Sequence, residues 1–145
     1  MTTDLNQKPS DTSTTVGNYF VSNYPPFSFW APEQLPNAVA ALNRSPRPGS
    51  DLGVYLHIPF CRKRCHFCYF RVYTDKKNDE IQAYLDSVLV ELNAYAKLPA
   101  IRGRKANFVY FGGGTPSFLS SEQLVSLTDG MKFLVPWDGV EEVTF

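Results

Sequence analysis

Apolar positions recur along this chain with two periods, and the two alternate in a regular order. Residues 52–58 (LGVYLHI) form a short, nearly continuous apolar run ended by Pro59, the pattern of a buried strand. Over residues 79–98 the apolar side chains fall at 81, 84, 85, 88, 92 and 95, which is helical spacing, and Pro99 closes the segment. On this reading Asp86 and Glu91 face solvent, while Tyr84 and Tyr95 pack in the core. Residues 107–111 (NFVYF) are β-branched and aromatic and predict a second strand. Residues 120–133 predict a second long helix. Ser120 with Gln123 three positions on matches a capping box, and Leu124, Leu127, Met131 and Leu134 line one face. Residues 140–145 predict a third strand. The order β-α-β-α-β implies parallel strands joined by helical crossovers, an α/β fold that is either a doubly wound sheet or a β/α barrel.

The segment before this pattern reads differently. Residues 1–18 are polar and rich in Thr, Ser, Asp and Asn, too poor in apolar surface to offset ordering entropy, and are expected to be a disordered tail. In residues 19–30 (YFVSNYPPFSFW) seven of twelve are aromatic or Val, and Pro25-Pro26 forbids a regular helix. This is an irregular arm that either packs on its own domain or covers a flat hydrophobic ligand. A short helix is expected at 33–42, followed by a Pro/Gly/Ser linker, NRSPRPGS, at 43–50. The expected organisation is therefore a tail at 1–18, an aromatic arm and Pro-rich linker at 19–50, and an α/β portion at 51–145. The final EEVTF alternates like a strand with no turn or cap after it. The sequence is expected to be the N-terminal piece of a longer protein. Alone, such a piece would expose a sheet edge and apolar surface.

Charge narrows the partners. Fourteen basic and fourteen acidic residues give a net charge of zero, which argues against nucleic acid or an anionic membrane surface as the main partner. No apolar run approaches the ~20 residues of a membrane span, and no apolar leader segment precedes the arm. The chain has three cysteines, an odd count that suits a disulfide framework poorly and a reducing cytoplasm well.

All three cysteines lie within CRKRCHFC, residues 61–68, with C-x3-C-x2-C spacing. A disulfide would orphan one of them. A structural zinc site takes four ligands, and His66 or His57 could supply the fourth. An iron–sulfur cluster is held by thiolates, and three cysteines would leave one iron of a cubane without a protein ligand, open to a substrate or cofactor. The loop follows the first strand, where β/α folds carry their sites. Arg62, Lys63 and Arg64 either favour the thiolates electrostatically or are simply solvated. His57 shares a side of the strand with Tyr55; it is either a hydrogen-bonding group near the site or a satisfied core histidine. His66 reads as a loop residue. The Gly112-Gly113-Gly114-Thr115-Pro116 run after the second strand lets a ligand approach the backbone. It is neither a dinucleotide fingerprint nor a Walker motif.

C-x3-C-x-aromatic-C, with Phe67 before Cys68, resembles the signature of the radical S-adenosylmethionine (SAM) enzymes. The run Tyr55-Leu56-His57-Ile58-Pro59-Phe60-Cys61 and the GGGTPS at 112–117 resemble the subgroup of oxygen-independent coproporphyrinogen III oxidase and its relatives, over residues 52–145. The resemblance implies the N-terminal part of a partial (β/α)6 radical SAM barrel. It implies a [4Fe-4S] cluster on Cys61, Cys65 and Cys68, with Tyr55, Phe67, Gly113, Gly114 and Thr115 against SAM and Phe67 beside adenine. It implies reductive cleavage of SAM to a 5′-deoxyadenosyl radical, an electron donor such as flavodoxin or ferredoxin, and a small-molecule substrate, a tetrapyrrole, haem or another large organic compound. The subgroup also holds methyltransferases, cyclopropanases, haem-ring-opening enzymes and a haem chaperone. Porphyrinogen oxidases commonly continue their motif with Gly-Cys; this chain continues Tyr69-Phe70-Arg71 after Cys68. In the subgroup an acidic residue following the third strand helps hold SAM, beyond Phe145.

Overall fold

The structure is a computed structural model that describes residues 31–68 and 70–145. The expected tail at 1–18 and the aromatic arm at 19–30 lie outside the described residues. Pro36–Phe145 form one compact unit, and Ala31–Leu35 lie outside it.

Among the described residues three strands follow the apolar runs: β1 (Gly53–Ile58), β2 (Phe108–Gly113) and β3 (Glu142–Thr144). They form one parallel sheet in the order β1-β2-β3. Among the described residues three α-helices accompany them: α1 (Leu35–Leu42), entered through a 3-10 turn at Pro32–Gln34, α2 (Asn78–Ala96) and α3 (Ser121–Leu134). The crossovers through α2 and α3 give the α/β topology that the periodicity predicts. The third strand is shorter than the predicted 140–145. Gly139 turns the chain with φ 86°, and Val140 donates its N–H back to Trp137 O in that turn. Ladder pairing therefore starts only at Glu142, opposite Phe108.

One face of the sheet carries Leu56, Ile58, Val109 and Phe111, and all four are buried against Ile81 and Leu85 of α2 and Leu127 and Met131 of α3. Burial of each such side chain contributes about 1.5–3 kcal/mol relative to exposure. Helix α3 starts as its sequence demands: the Ser120 hydroxyl accepts from Gln123 N–H at 3.2 Å, and the Gln123 side chain accepts from Ser120 N–H at 3.1 Å. Gln123 is buried, and its amide nitrogen donates to Asn78 Oδ1 at 2.9 Å, tying the first turns of α2 and α3 together. Helix α2 is capped by Glu80, which accepts from Lys77 N–H at 3.1 Å and from Lys76 Nζ at 2.7 Å. Those two bonds hold the Glu80 carboxyl below the usual range.

Among the described residues, no helix covers the other face of the sheet. In register across β1 and β2 it presents Gly53 beside Phe108, Tyr55 beside Tyr110, and His57 beside Gly112. Tyr55, Phe108 and Tyr110 are all exposed. Both faces of these strands are thus apolar or aromatic, as in sheets that lie between two layers.

Candidate functional site

The C-terminal ends of β1 and β2 build the site. Beyond Ile58 the ladder does not stop: Gly114 N–H donates to Ile58 O at 2.7 Å and Thr115 N–H donates to Phe60 O at 2.9 Å. The glycine run is therefore laid along the segment that leads into Cys61. A Cβ on Gly114 would lie 2.7 Å from Phe60 O, 2.8 Å from Cys61 Sγ and 2.9 Å from Ile58 O, so only glycine fits there. Gly113 has φ +102°, in the region that favours glycine, and a Cβ on it would strike the His57 ring at 2.7 Å. Thr115 Oγ1 donates to Cys61 Sγ at 3.4 Å. Cys61 and the GGGTP run, 54 residues apart, are one structural unit.

The cysteine loop is closed at its base by Tyr73. Cys61 N–H donates to Tyr73 O at 3.0 Å and Tyr73 N–H donates to Pro59 O at 2.8 Å. Within the loop, Cys68 N–H donates to Cys65 O at 3.1 Å, and the Arg64 guanidinium donates to Cys68 O at 3.0 Å. Arg64 thus braces the turn between the two outer cysteines. All three thiols are free; Cys61 is buried, Cys65 exposed and Cys68 half-buried. Phe67 is 70% exposed, its ring edge-on to His66 at 5.2 Å. Lys63, Arg64, Cys65, His66 and Phe67 frame an open hollow of about 400 Å³. Among the described residues no three His, Cys, Asp or Glu side chains converge closely enough to hold a metal ion. The structure brings Cys61 to Gly114 and Thr115, and leaves Cys65 and Phe67 on the outer loop. In donor chemistry, three free thiols in one loop suit iron or zinc.

Tyr55 and His57 form a second group on the open sheet face. The Tyr55 hydroxyl and His57 Nδ1 share a hydrogen bond of 2.9 Å. The His57 ring lies 5.9 Å from that of Phe70, and the Tyr55 ring 5.6 Å from that of Tyr110. Partial burial, and after it the neighbouring Tyr110, raise the Tyr55 pKa. His57 is no satisfied core histidine: it packs over Gly113 and joins Tyr55 to the glycine run.

Sequence reasoning did not single out Tyr110 or Phe108, and read Gly112 only as part of the glycine run. A Cβ on Gly112 would meet Tyr55 at 2.8 Å and Tyr110 at 3.0 Å, so this glycine makes room for the two rings. The signal was present in NFVYF, where aromatic residues stand on both alternating positions although one face of a solvated strand should be polar. Tyr84 is placed as packing, edge-on to Phe60 at 5.3 Å, but its hydroxyl also donates to His57 O at 2.6 Å.

A cysteine loop after the first strand and a glycine run after the second, joined on a parallel β/α sheet, are the features in which this chain resembles the radical SAM proteins. No family model matches the chain. Over 101 residues it is 40% identical to the heme chaperone HemW of Mycobacterium tuberculosis, covering 68% of this chain and 24% of that protein. Over 91 residues it is 37% identical to the oxygen-independent coproporphyrinogen III oxidase of Cereibacter sphaeroides, covering 62% of this chain and 20% of that protein. Its fold matches the solved structure of coproporphyrinogen III oxidase (HemN) from Escherichia coli, described as a radical SAM enzyme. That match has a TM-score of 0.65 and 27% identity, and covers 87% of this chain and 28% of the other. The chain belongs to the HemN- and HemW-like subgroup of the radical SAM proteins. It spans about a quarter of the length of the relatives it matches. No helix among the described residues is long and apolar enough to cross a membrane.

Proposed function

We propose that this chain supplies the cluster- and SAM-binding part of a radical SAM enzyme acting on a tetrapyrrole or another large organic substrate. Cys61, Cys65 and Cys68 would hold a [4Fe-4S] cluster. Tyr55, Phe67, Gly113, Gly114 and Thr115 would hold SAM. When bound, the cluster and SAM supply the electron and the 5′-deoxyadenosyl radical that starts the reaction. The observation that carries this reading is the junction of Cys61 with Gly114 and Thr115: the backbone that would meet a ligand is fixed directly against the buried thiol. Cys61 is the anchored corner. Cys65 and Cys68 sit on a turn held by local bonds, so bringing them in requires rearrangement of the loop and not of the sheet. The exposed rings of Tyr55, Phe108 and Tyr110 offer an apolar floor to a flat substrate. The domain organisation belongs to the same proposal, with residues 51–145 as the first part of the barrel, in the cytoplasm, served by a flavodoxin- or ferredoxin-like electron donor.

The similarity to a heme chaperone favours a second reading, a haem carrier that keeps the cluster without consuming SAM. One experiment separates the two. The chain, reconstituted anaerobically with iron and sulfide, is given SAM and dithionite, beside a variant with all three cysteines changed to Ala. Formation of 5′-deoxyadenosine that requires the cysteines supports the enzyme, and S-adenosylhomocysteine beside it points to methyl transfer. Cluster assembly with stoichiometric haem binding and no SAM cleavage moves the carrier to the front. Uptake of zinc in place of iron sinks both.

A further inference from the structure

Thr115 and Cys61 are each fixed by their own backbone, and the hydrogen bond between them is made by the side chains alone. Thr115 donates its N–H to Phe60 O at 2.9 Å, and its carbonyl accepts from Phe118 N–H at 2.9 Å in the 3-10 turn Pro116–Phe118. Cys61 is buried and its N–H is spent on Tyr73. The hydroxyl proton of Thr115 then points at Cys61 Sγ from 3.4 Å. A threonine hydroxyl has one proton and two lone pairs. With the proton given to sulfur, the oxygen remains an acceptor for a ligand's ammonium group.

We propose that Thr115 is a positioning residue that sets the electron affinity of the cluster through its hydrogen bond to Cys61 Sγ, an inference that rests on the cluster reading above. A hydrogen-bond donor to a thiolate stabilises negative charge on it. One-electron reduction adds negative charge to the cluster and its sulfurs, so the donor favours the reduced form and raises the potential. Of the three thiols, the one that receives this bond is the one already locked in place, so loop closure by Cys65 and Cys68 does not need to disturb it.

The test is a redox titration of the reconstituted full chain, followed by the electron spin resonance of the reduced cluster, in wild type, Thr115→Ser and Thr115→Val. Iron and sulfide are counted in each. With equal iron, Thr115→Ser should keep the wild-type potential and Thr115→Val should shift to a more negative one. A Thr115→Val protein with full iron and an unchanged potential overturns the inference while leaving the cluster reading intact. If Thr115→Val takes up less iron, Thr115→Ala is compared with Thr115→Ser, which differ in the donor at nearly equal size; equal potentials there overturn it too. A wild-type chain that takes up no iron overturns the cluster reading, and the inference with it.

Discussion

Gly114→Ala tests the junction at the heart of the site. The added methyl would stand 2.7 Å from Phe60 O and 2.9 Å from Ile58 O, both backbone atoms that no rotamer change can remove. Ordinary contact begins near 3.4 Å, so the glycine run must withdraw by about 0.7 Å. The bonds Gly114 N–H to Ile58 O and Thr115 N–H to Phe60 O, now 2.7 and 2.9 Å, would lengthen beyond the usual ~3.2 Å limit. Overpacking costs about 1–3 kcal/mol, and each weakened bond costs up to about 1 kcal/mol. We expect a loss of about 2–4 kcal/mol in urea unfolding, with faster alkylation of Cys61 as the run lifts from it. Gly53→Ala is the control. There the added methyl would fall still closer to Phe108 Cζ, a nominally worse clash, but that atom is the far end of an exposed ring that can swing aside. Gly53→Ala should cost under about 1 kcal/mol. The reasoning fails if Gly114→Ala stays within about 0.5 kcal/mol of wild type, or if Gly53→Ala is the more damaging of the pair.

Three further outcomes follow from the geometry. Tyr84→Phe removes the 2.6 Å bond to His57 O and should cost about 1 kcal/mol by urea unfolding. Burial, more than the nearby Glu91 and Tyr55, raises the Tyr84 pKa above its ordinary 10.0, so the folded state favours the neutral phenol. That stabilisation is complete below pH 10 and disappears as the pH rises through the folded value; Tyr84→Phe should flatten this alkaline decline, and an unchanged pH profile would refute the assignment. Gln123→Ala breaks the cap bond to Ser120 N–H and the link to Asn78, and should cost about 1–2 kcal/mol; a neutral result would mean that the link between α2 and α3 carries no energy. In the metal-free chain iodoacetamide should modify exposed Cys65 first, then Cys68, and buried Cys61 last, read by peptide mass spectrometry.

The backbone plan was legible because its signals are local. Six apolar positions at helical spacing placed α2, Ser120 and Gln123 placed the start of α3, and the two short apolar runs placed β1 and β2. The cysteine spacing and the glycine run marked the site in the same way. The sequence was silent where the information is a meeting of distant groups. Tyr73 looks like any loop aromatic, yet its backbone closes the cysteine loop. Tyr84 follows the helical period and reads as packing; only the three-dimensional fold shows its hydroxyl on the carbonyl of His57. His57 itself was undecidable between core and site until Gly113 was seen beneath its ring. The over-long third strand arose because alternation continues through Val140, while the turn at Gly139 withholds that residue from the ladder.

The closure at Tyr73 has a thermodynamic corollary. In metal-dependent miniature domains the ligands are the fold, and chelators unfold the chain. Here the sheet enters the cysteine loop at Cys61 and is rejoined at Tyr73, so the intervening residues form a side branch whose ends are already pinned. Closing entropy varies only slowly with loop length once the ends are fixed. The helix-covered core of Ile58, Phe111, Leu127 and Met131 is therefore assembled without any ligand from the branch. Removal of whatever the loop holds should leave that core folded, with its melting lowered only by the occupant's own binding free energy, and a replacement can be loaded into a scaffold that never unfolded.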